Sequence, residues 1–302
     1  MKNNLVKQQH YVWREYLRNW VESNKVFTIY LKDKKIEFTS INNLAKQNFF
    51  YKFNLLTNLE IKFIEKIIDS SPTPVRNMQY NLLKDLMNIR EYENLYKTVY
   101  KQNSDLMKNG YEPLHTLIEN QGKKLINCTS LENLKKLNNE KDRIDALMFL
   151  CIQFLRTKRK RDDIIKNGIV HEKFINYNNI FSLLSIILGM NLACNLSFDE
   201  NITFTLLTIE KKSSFEFITG DQPVLNLLAN IKDDENNVED LLLYYPISPK
   251  KSIKIGVNLD NEKFSEYYPS EKEVNELNIQ ILKKCSLYAF SKNESTLKEL
   301  IN

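Results

Sequence analysis

Ala146-Leu-Met-Phe-Leu-Cys-Ile-Gln-Phe-Leu-Arg-Thr157 carries apolar side chains on nearly every helix face as far as Leu155, with Gln153 the exception. A surface helix keeps one polar face, so this pattern predicts a helix enclosed on all sides at the centre of the fold. Gln153 and Arg156 stand three apart and therefore point the same way. Arg156 ends the apolar run, where a desolvated guanidinium needs a carboxylate, a phosphate or several carbonyls beside it. Two readings follow: a structural ion pair, or an anion clamp with Gln153 beside it. The basic run Lys158-Arg159-Lys160-Arg161 comes directly after and reads as a solvated helix end, where the dipole favours cations. Lys158 and Arg161 are its candidate substrate-binding members.

Outward from this helix, the pattern is mostly helical from Ile41 to about Leu196, with breaks near Pro72 and Pro74, near Gly110 and Pro113, at Gly122 and near Gly168. Asn54 to Asn58 reads as a capping turn. Ile180 to Leu196 is strongly apolar, but Ser182, Ser185, Gly189, Asn191 and Asn195 interrupt a run already shorter than the roughly 20 residues of a membrane span, so a core helix and no membrane contact are expected. Before the helical stretch, His10 to Trp20 suits a short helix with one aromatic face. Val26 to Leu31 and Ile36 to Thr39 suit a hairpin turned at Lys32-Asp33-Lys34-Lys35. After it, strands are expected at Thr203–Ile209, Phe215–Thr219, Leu242–Ile247, Ser252–Val257 and Leu287–Phe290, with a helix at Glu271–Cys285. The acidic stretch Lys232 to Asp240 reads as a surface loop.

The fold class is therefore α+β, predominantly helical, with a mixed or antiparallel sheet built from the N-terminal hairpin and the C-terminal strands. One domain over 1–302 is expected, in three parts: 8–40, 41–196 and 197–302. Composition agrees, since 6 Gly and 7 Pro in 302 residues favour helices joined by short connections over a sandwich or barrel. A net charge of +5 allows nucleic acid as a partner without naming it. Cys128, Cys151, Cys194 and Cys285 form no C-x-x-C pair and read as reduced core residues. With no apolar region at the N-terminus, the cytoplasm is the expected location.

Asp221 sits where the strand Phe215 to Thr219 stops at Gly220-Asp221-Gln222-Pro223, and strand ends are frequent places for sites. It is the candidate catalytic carboxylate and the one residue through which a divalent metal would be recruited. A capping role at the turn is the structural alternative. Of three histidines, His10 is the candidate acid or base, with Arg14 four residues on and on the same face if the helix includes both. Glu112, His115 and Glu119 have i, i+3, i+7 spacing on one helix face, but a metal site of that kind needs ligands from other helices, so no metal site is assigned. No P-loop, G-x-G-x-x-G, G-x-S-x-G or H-E-x-x-H occurs, which removes the readily recognised nucleotide, hydrolase and zincin readings.

Read in order, His10-Tyr11-Val12 with Tyr16-Leu17, Phe50-Tyr51, Glu60 and Glu65, Gln153-Phe-Leu-Arg-Thr157, Phe217-Ile-Thr-Gly-Asp-Gln-Pro-Val224, Tyr245-Pro-Ile-Ser-Pro249 and Val274-Asn-Glu-Leu-Asn278 resemble the bacterial domain-of-unknown-function family 4238 over nearly the whole chain. Trp13 stands where that pattern has Pro, Gly220 where it has Ser and Gln222 where it has Asn. Some members of the family are similar to single-gene anti-phage defence proteins, so the resemblance implies a growth-arresting effector. Joined to the residues, this gives two main expected functions, beside a third, the binding of a small phosphorylated metabolite in a concave pocket at Arg156. The first is a toxin cleaving nucleic acid, RNA before DNA, with His10 as acid or base, Arg156 stabilising phosphate charge and Asp221 orienting His10. The second is a non-enzymatic sensor of a phage-encoded trigger, or a nucleic-acid-binding module, in which the three residues form a structural network. The first requires the three side chains to converge in an open cleft, with Arg156 within direct or water-bridged reach of Asp221.

Overall fold

An Asn ahead of a run apolar on all faces starts the central helix: the Asn139 side chain accepts from the Asp142 amide at 3.1 Å. The computed structural model describes residues 7–52, 54–100, 110–171, 174–229, 241–258 and 262–301. In chain order the first half runs β1 (Gln8–His10), α1 (Arg14–Leu17), β2 (Lys25–Tyr30), β3 (Lys35–Ser40), β4 (Lys46–Asn48), α2 (Asn58–Asp69), α3 (Thr73–Tyr100), α4 (Glu112–Gln121), α5 (Lys123–Ile126), α6 (Leu131–Lys135) and the central helix α7 (Glu140–Leu155). The second half runs α8 (Lys158–His171), α9 (Tyr177–Phe198), β5 (Ile202–Thr208), β6 (Thr219–Gly220), β7 (Leu225–Asn226), β8 (Leu242–Ser248), β9 (Lys251–Val257), β10 (Phe264–Tyr267), α10 (Glu271–Lys284), β11 (Tyr288–Ser291) and α11 (Glu294–Ile301). The fold is α+β and mostly helical, as the sequence pattern implies.

The α7 run is enclosed: Ala146, Leu147 and every residue from Phe149 to Phe154 are buried. Its main neighbour is α9, which is apolar on almost every face. Among the described residues α9 is the one helix long and apolar enough to cross a membrane, and most of it is buried inside the fold. Gly189 is why the two helices lie so close. A Cβ there would come within 2.6 Å of the Ile152 Cγ1 and 2.9 Å of its Cα, so backbone meets backbone.

The expected sheet is in fact two sheets and a ribbon. The hairpin β2–β3 joins β11 and β6 in an antiparallel sheet of order β3-β2-β11-β6, so N-terminal and C-terminal segments do share a sheet. A second sheet, β10-β5-β9-β8-β7, is built from C-terminal strands alone and is mixed, because β10 runs parallel to β5. The ribbon pairs β1 with β4, His10 opposite Lys46. Strand β11 sends Phe290 into the main apolar core and Ala289 into a second cluster with Phe217, Ile218, Val274 and Ile281. The four-stranded sheet is thus the wall between the helical core and α10.

Four expectations are corrected here. His10 lies on a strand, and of the expected His10–Trp20 the helical part is Arg14–Trp20, α1 followed by a 3-10 turn over Arg18–Trp20. Phe215–Thr219 is not a full strand. The Phe217 amide donates to the Pro249 carbonyl at 2.8 Å and the Ile218 amide to Asn278 Oδ1 at 2.9 Å, so side chain and turn replace the ladder and only Thr219–Gly220 pairs as β6. Helix α8 runs through Gly168, whose missing Cβ leaves room for the Tyr177 ring. The basic run opens α8 instead of ending a helix, so it faces the positive end of the dipole. The Lys232–Asp240 stretch lies outside the described residues.

Gly189→Ala tests the α7–α9 approach. Alanine favours a helix interior by up to about 1 kcal/mol, yet forcing Ile152 away is expected to outweigh this and destabilise by about 1–3 kcal/mol in a urea melt. A variant more stable than wild type would show that the helices are not in backbone contact.

Candidate functional site

Arg156 follows the last residue of α7 and is 1% exposed, so every donor on its guanidinium must be met from within. Three partners take four of its five N–H donors. Gln153 Oε1 accepts from Nε at 3.2 Å and from Nη2 at 2.6 Å, which realises the shared direction read from the i, i+3 spacing. His115 Nδ1 accepts from Nη1 at 3.2 Å, and Glu119 Oε1 forms a 2.6 Å ion pair with Nη2. Both come from α4, whose Glu112, His115 and Glu119 face the guanidinium. The spacing that suggested a metal face thus serves an arginine. The Tyr51 ring stacks on His115 with centroids 3.9 Å apart and lies 5.9 Å from the guanidinium carbon. Gln153 Nε2 then donates to the Tyr11 carbonyl at 3.1 Å, tying the cluster to the N-terminal segment.

Asp221 is elsewhere. Fully buried, it accepts the Ser286 amide on Oδ1 and the Leu287 amide on Oδ2, each at 2.7 Å, while its own amide donates to the Tyr288 carbonyl at 3.0 Å. It caps the turn between α10 and β11. No hydrogen bond or ion pair joins it to Arg156, so the expected pair does not form. Each group has satisfied its charge or lone pairs locally, which is what burial demands. With both carboxylate oxygens on backbone amides, the suggested metal role of Asp221 loses its ligand, and no group of three or more metal-ligating side chains occurs among the described residues.

His10 is half-buried on β1. Burial, then Arg14 and Lys46, push its pKa down to about 4, so the ring is neutral near pH 7. Its carbonyl accepts from the Tyr51 hydroxyl at 3.1 Å, and Nε2 is buried without a protein partner. Arg14 is exposed and bonds Asn42 at 3.3 Å. Lys158 pairs with Asp162 at 2.7 Å. Arg161 lies 5.7 Å from the Phe50 ring centroid and donates to Asn178 at 3.2 Å. The residues singled out by sequence therefore fall into separate places: Gln153 and Arg156 together, Asp221 at its turn, and Lys158 and Arg161 on α8. Tyr11 is the nearest to a bridge. Its carbonyl joins the Arg156 cluster, whereas burial, and after it the Asp221 charge, raises the pKa of its phenol.

Glu112 is the most perturbed group whose carboxylate is open to change. Burial and the neighbouring Glu119 raise its pKa to about 7 against the pull of Arg156, and its Oε2 is buried with no protein partner. One turn along, His115 is held neutral by burial and by Arg156. Since arginine only donates, His115 Nδ1 accepts and its proton sits on Nε2, which also lacks a protein partner. Desolvation opposes the Arg156 charge, and Tyr51, Glu119 and Glu112 more than restore it. The opposite side of α4, at Leu114, Leu117 and Ile118, faces a largely apolar cavity of about 600 Å³ between α3, α7 and α9. Tyr51 and the α4 triplet are the site residues that sequence reading did not assemble.

Comparisons of the chain with family models, with curated proteins and with solved structures each found no match.

Glu112 makes the cluster sensitive to pH. Its folded pKa of about 7 exceeds the ordinary 4.5, so ionisation is harder in the folded state. Below about pH 4.5 it is protonated folded or unfolded and costs nothing; as pH rises toward 7 stability is lost, on the order of 1–2 kcal/mol after allowance for solvent screening. Glu112→Gln should match wild type in thermal unfolding at pH 4 and exceed it at pH 8. Parallel stability profiles would contradict the assignment.

Proposed function

We propose that this chain works by recognition and not by catalysis at His10, Arg156 and Asp221: a sensor or nucleic-acid-binding module of anti-phage defence, with those residues as a structural network. The observation carrying this reading is the internal satisfaction of both charged members. Arg156 is spent on Gln153, His115 and Glu119, and Asp221 on the Ser286 and Leu287 amides. A nuclease centred on them needs both aimed at a common phosphate in an open cleft. The defence context is supported by the ordered motifs that resemble family 4238. The run of cations at the start of α8, with Lys158 half-buried and Arg159 exposed, supports an anionic partner.

A second reading is favoured by Glu112, whose pKa of about 7 beside a neutral His115 and Arg156 suits acid and base work. In that case hydrolysis would be carried by α4 and not by His10. The two separate in one experiment: a bacterial host expressing wild type, His10→Ala, Glu112→Gln or a Lys158→Glu/Arg161→Glu double variant, challenged with phage while total RNA and DNA are examined. Recognition predicts protection with intact host nucleic acid, retained by His10→Ala and Glu112→Gln and lost on charge reversal. Fragmentation by wild type that Glu112→Gln abolishes overturns it in favour of the second reading; fragmentation abolished by His10→Ala restores the His10-centred toxin.

A further inference from the structure

Four cations in the first turn of a 14-residue helix are electrostatically misplaced, because that end of the helix already carries partial positive charge. Two are compensated in part, Lys158 by Asp162 at 2.7 Å and Arg159 through Nε by Asp163 at 3.3 Å. The Lys160 ammonium has no ion pair or hydrogen bond among the described residues. It lies 4.3 Å from the centroid of the Phe154 ring, so a cation–π contact and the nearby charge of Asp163 are what offset its partial burial. Beside it stands Lys284, from the last turn of α10, close enough to oppose its charge, its own ammonium without an ion pair or hydrogen bond among the described residues.

These side chains share a recess of about 70 Å³ floored by Phe154, Gln222 and Val224 and walled by Arg159, Lys160 and Lys284. Among the described residues Asp163 is the only carboxylate in its lining, and it is engaged with Arg159. Gln222 spends its amide nitrogen on the Phe154 and Val224 carbonyls at 3.2 and 2.8 Å, so it offers no donor and the recess is defined by its cations. The volume corresponds to roughly five water-sized positions. That matches one tetrahedral oxyanion and falls far below the several hundred Å³ of a site enclosing a whole organic ligand. Two ammoniums and a guanidinium with both Nη groups unused suit a dianion whose oxygens point in several directions, more than they suit a planar carboxylate.

We infer that this recess, between the start of α8 and the end of α10, binds the phosphoryl group of a phosphate monoester, with Lys160, Lys284 and Arg159 as its ligands and the remainder of the molecule outside. This deepens the recognition reading and rests on it, naming the ligand class: a small phosphorylated molecule or a terminal phosphate, and not the diester backbone of a strand.

Calorimetric titration at fixed ionic strength tests it, using inorganic phosphate, adenosine 5′-monophosphate, adenosine and an oligoribonucleotide without a terminal phosphate. The proteins are wild type, Lys160→Met, Lys284→Met and, as a control on an exposed ion pair elsewhere, Lys298→Met. Methionine keeps an apolar stem over Phe154, and unchanged melting temperatures verify that each variant folds. Both phosphates are expected to bind wild type and adenosine not to, with affinity about ten-fold weaker in Lys160→Met and Lys284→Met and unchanged in Lys298→Met. No phosphate binding to wild type, or equal weakening in Lys298→Met, would overturn the inference. An unphosphorylated oligomer that binds and is lost in Lys160→Met, while phosphate is silent, would also overturn it and yet leave the recognition reading standing.

Discussion

A guanidinium that water cannot reach must find its partners in the chain, and Arg156 finds them on two helices at once. The end of α7 supplies Gln153, and α4 supplies His115 and Glu119. Breaking such an arrangement on one side leaves an uncompensated charge in the core, at a cost of about 3–5 kcal/mol. The geometry is therefore fixed jointly: α4 must present its polar face to the end of α7, which turns its apolar side at Leu114, Leu117 and Ile118 toward the interhelical cavity. Gln153 extends the constraint to the Tyr11 carbonyl and so to the N-terminal segment.

The remaining motif residues form a second buried joint of the same kind. Tyr16 bonds Thr219 at 2.6 Å and the Pro246 carbonyl at 2.8 Å while stacking on Tyr245. Trp20 donates to the Phe217 carbonyl at 3.1 Å. Asn278 holds Glu216 and Ile218 by both halves of its amide, and Gln222 reaches back to the Phe154 carbonyl and Thr157. Asp221 closes the turn into β11, and buried Glu216 does similar work at the next one through the Asn293 amide. Residues far apart in sequence thus fasten α1, α7, α10, β6 and β8 together. Their polar atoms face one another, not solvent. Less fully engaged among the described residues are Glu112 on α4, Lys160 on α8 and Lys284 at the end of α10.

The central helix was legible because its apolar residues leave no polar face, and the hairpin and C-terminal strands because β-branched residues cluster between turn signals. The segment at Phe215 misled, since its β-rich residues are held by Asn278 and Pro249, and no local pattern announces a side chain standing in for a strand. At the site, Arg156 was legible as a buried charge needing a partner, and Glu112, His115 and Glu119 as one face of a helix. Which of these belonged to which was not, because periodicity fixes direction around one helix axis and says nothing about the helix opposite. The strand-end position of Asp221 suggests a partner for Arg156, whereas its carboxylate caps the turn at Ser286 and Leu287.

Which carboxylate holds Arg156 is measured directly by a pair of double-mutant cycles in chemical unfolding. Arg156→Met, Glu119→Gln and Asp221→Asn are combined pairwise. The structure predicts strong non-additivity for Arg156 with Glu119, about 1.5–3 kcal/mol, and additivity within about 0.5 kcal/mol for Arg156 with Asp221. Additive behaviour with Glu119, or strong coupling with Asp221, would contradict it.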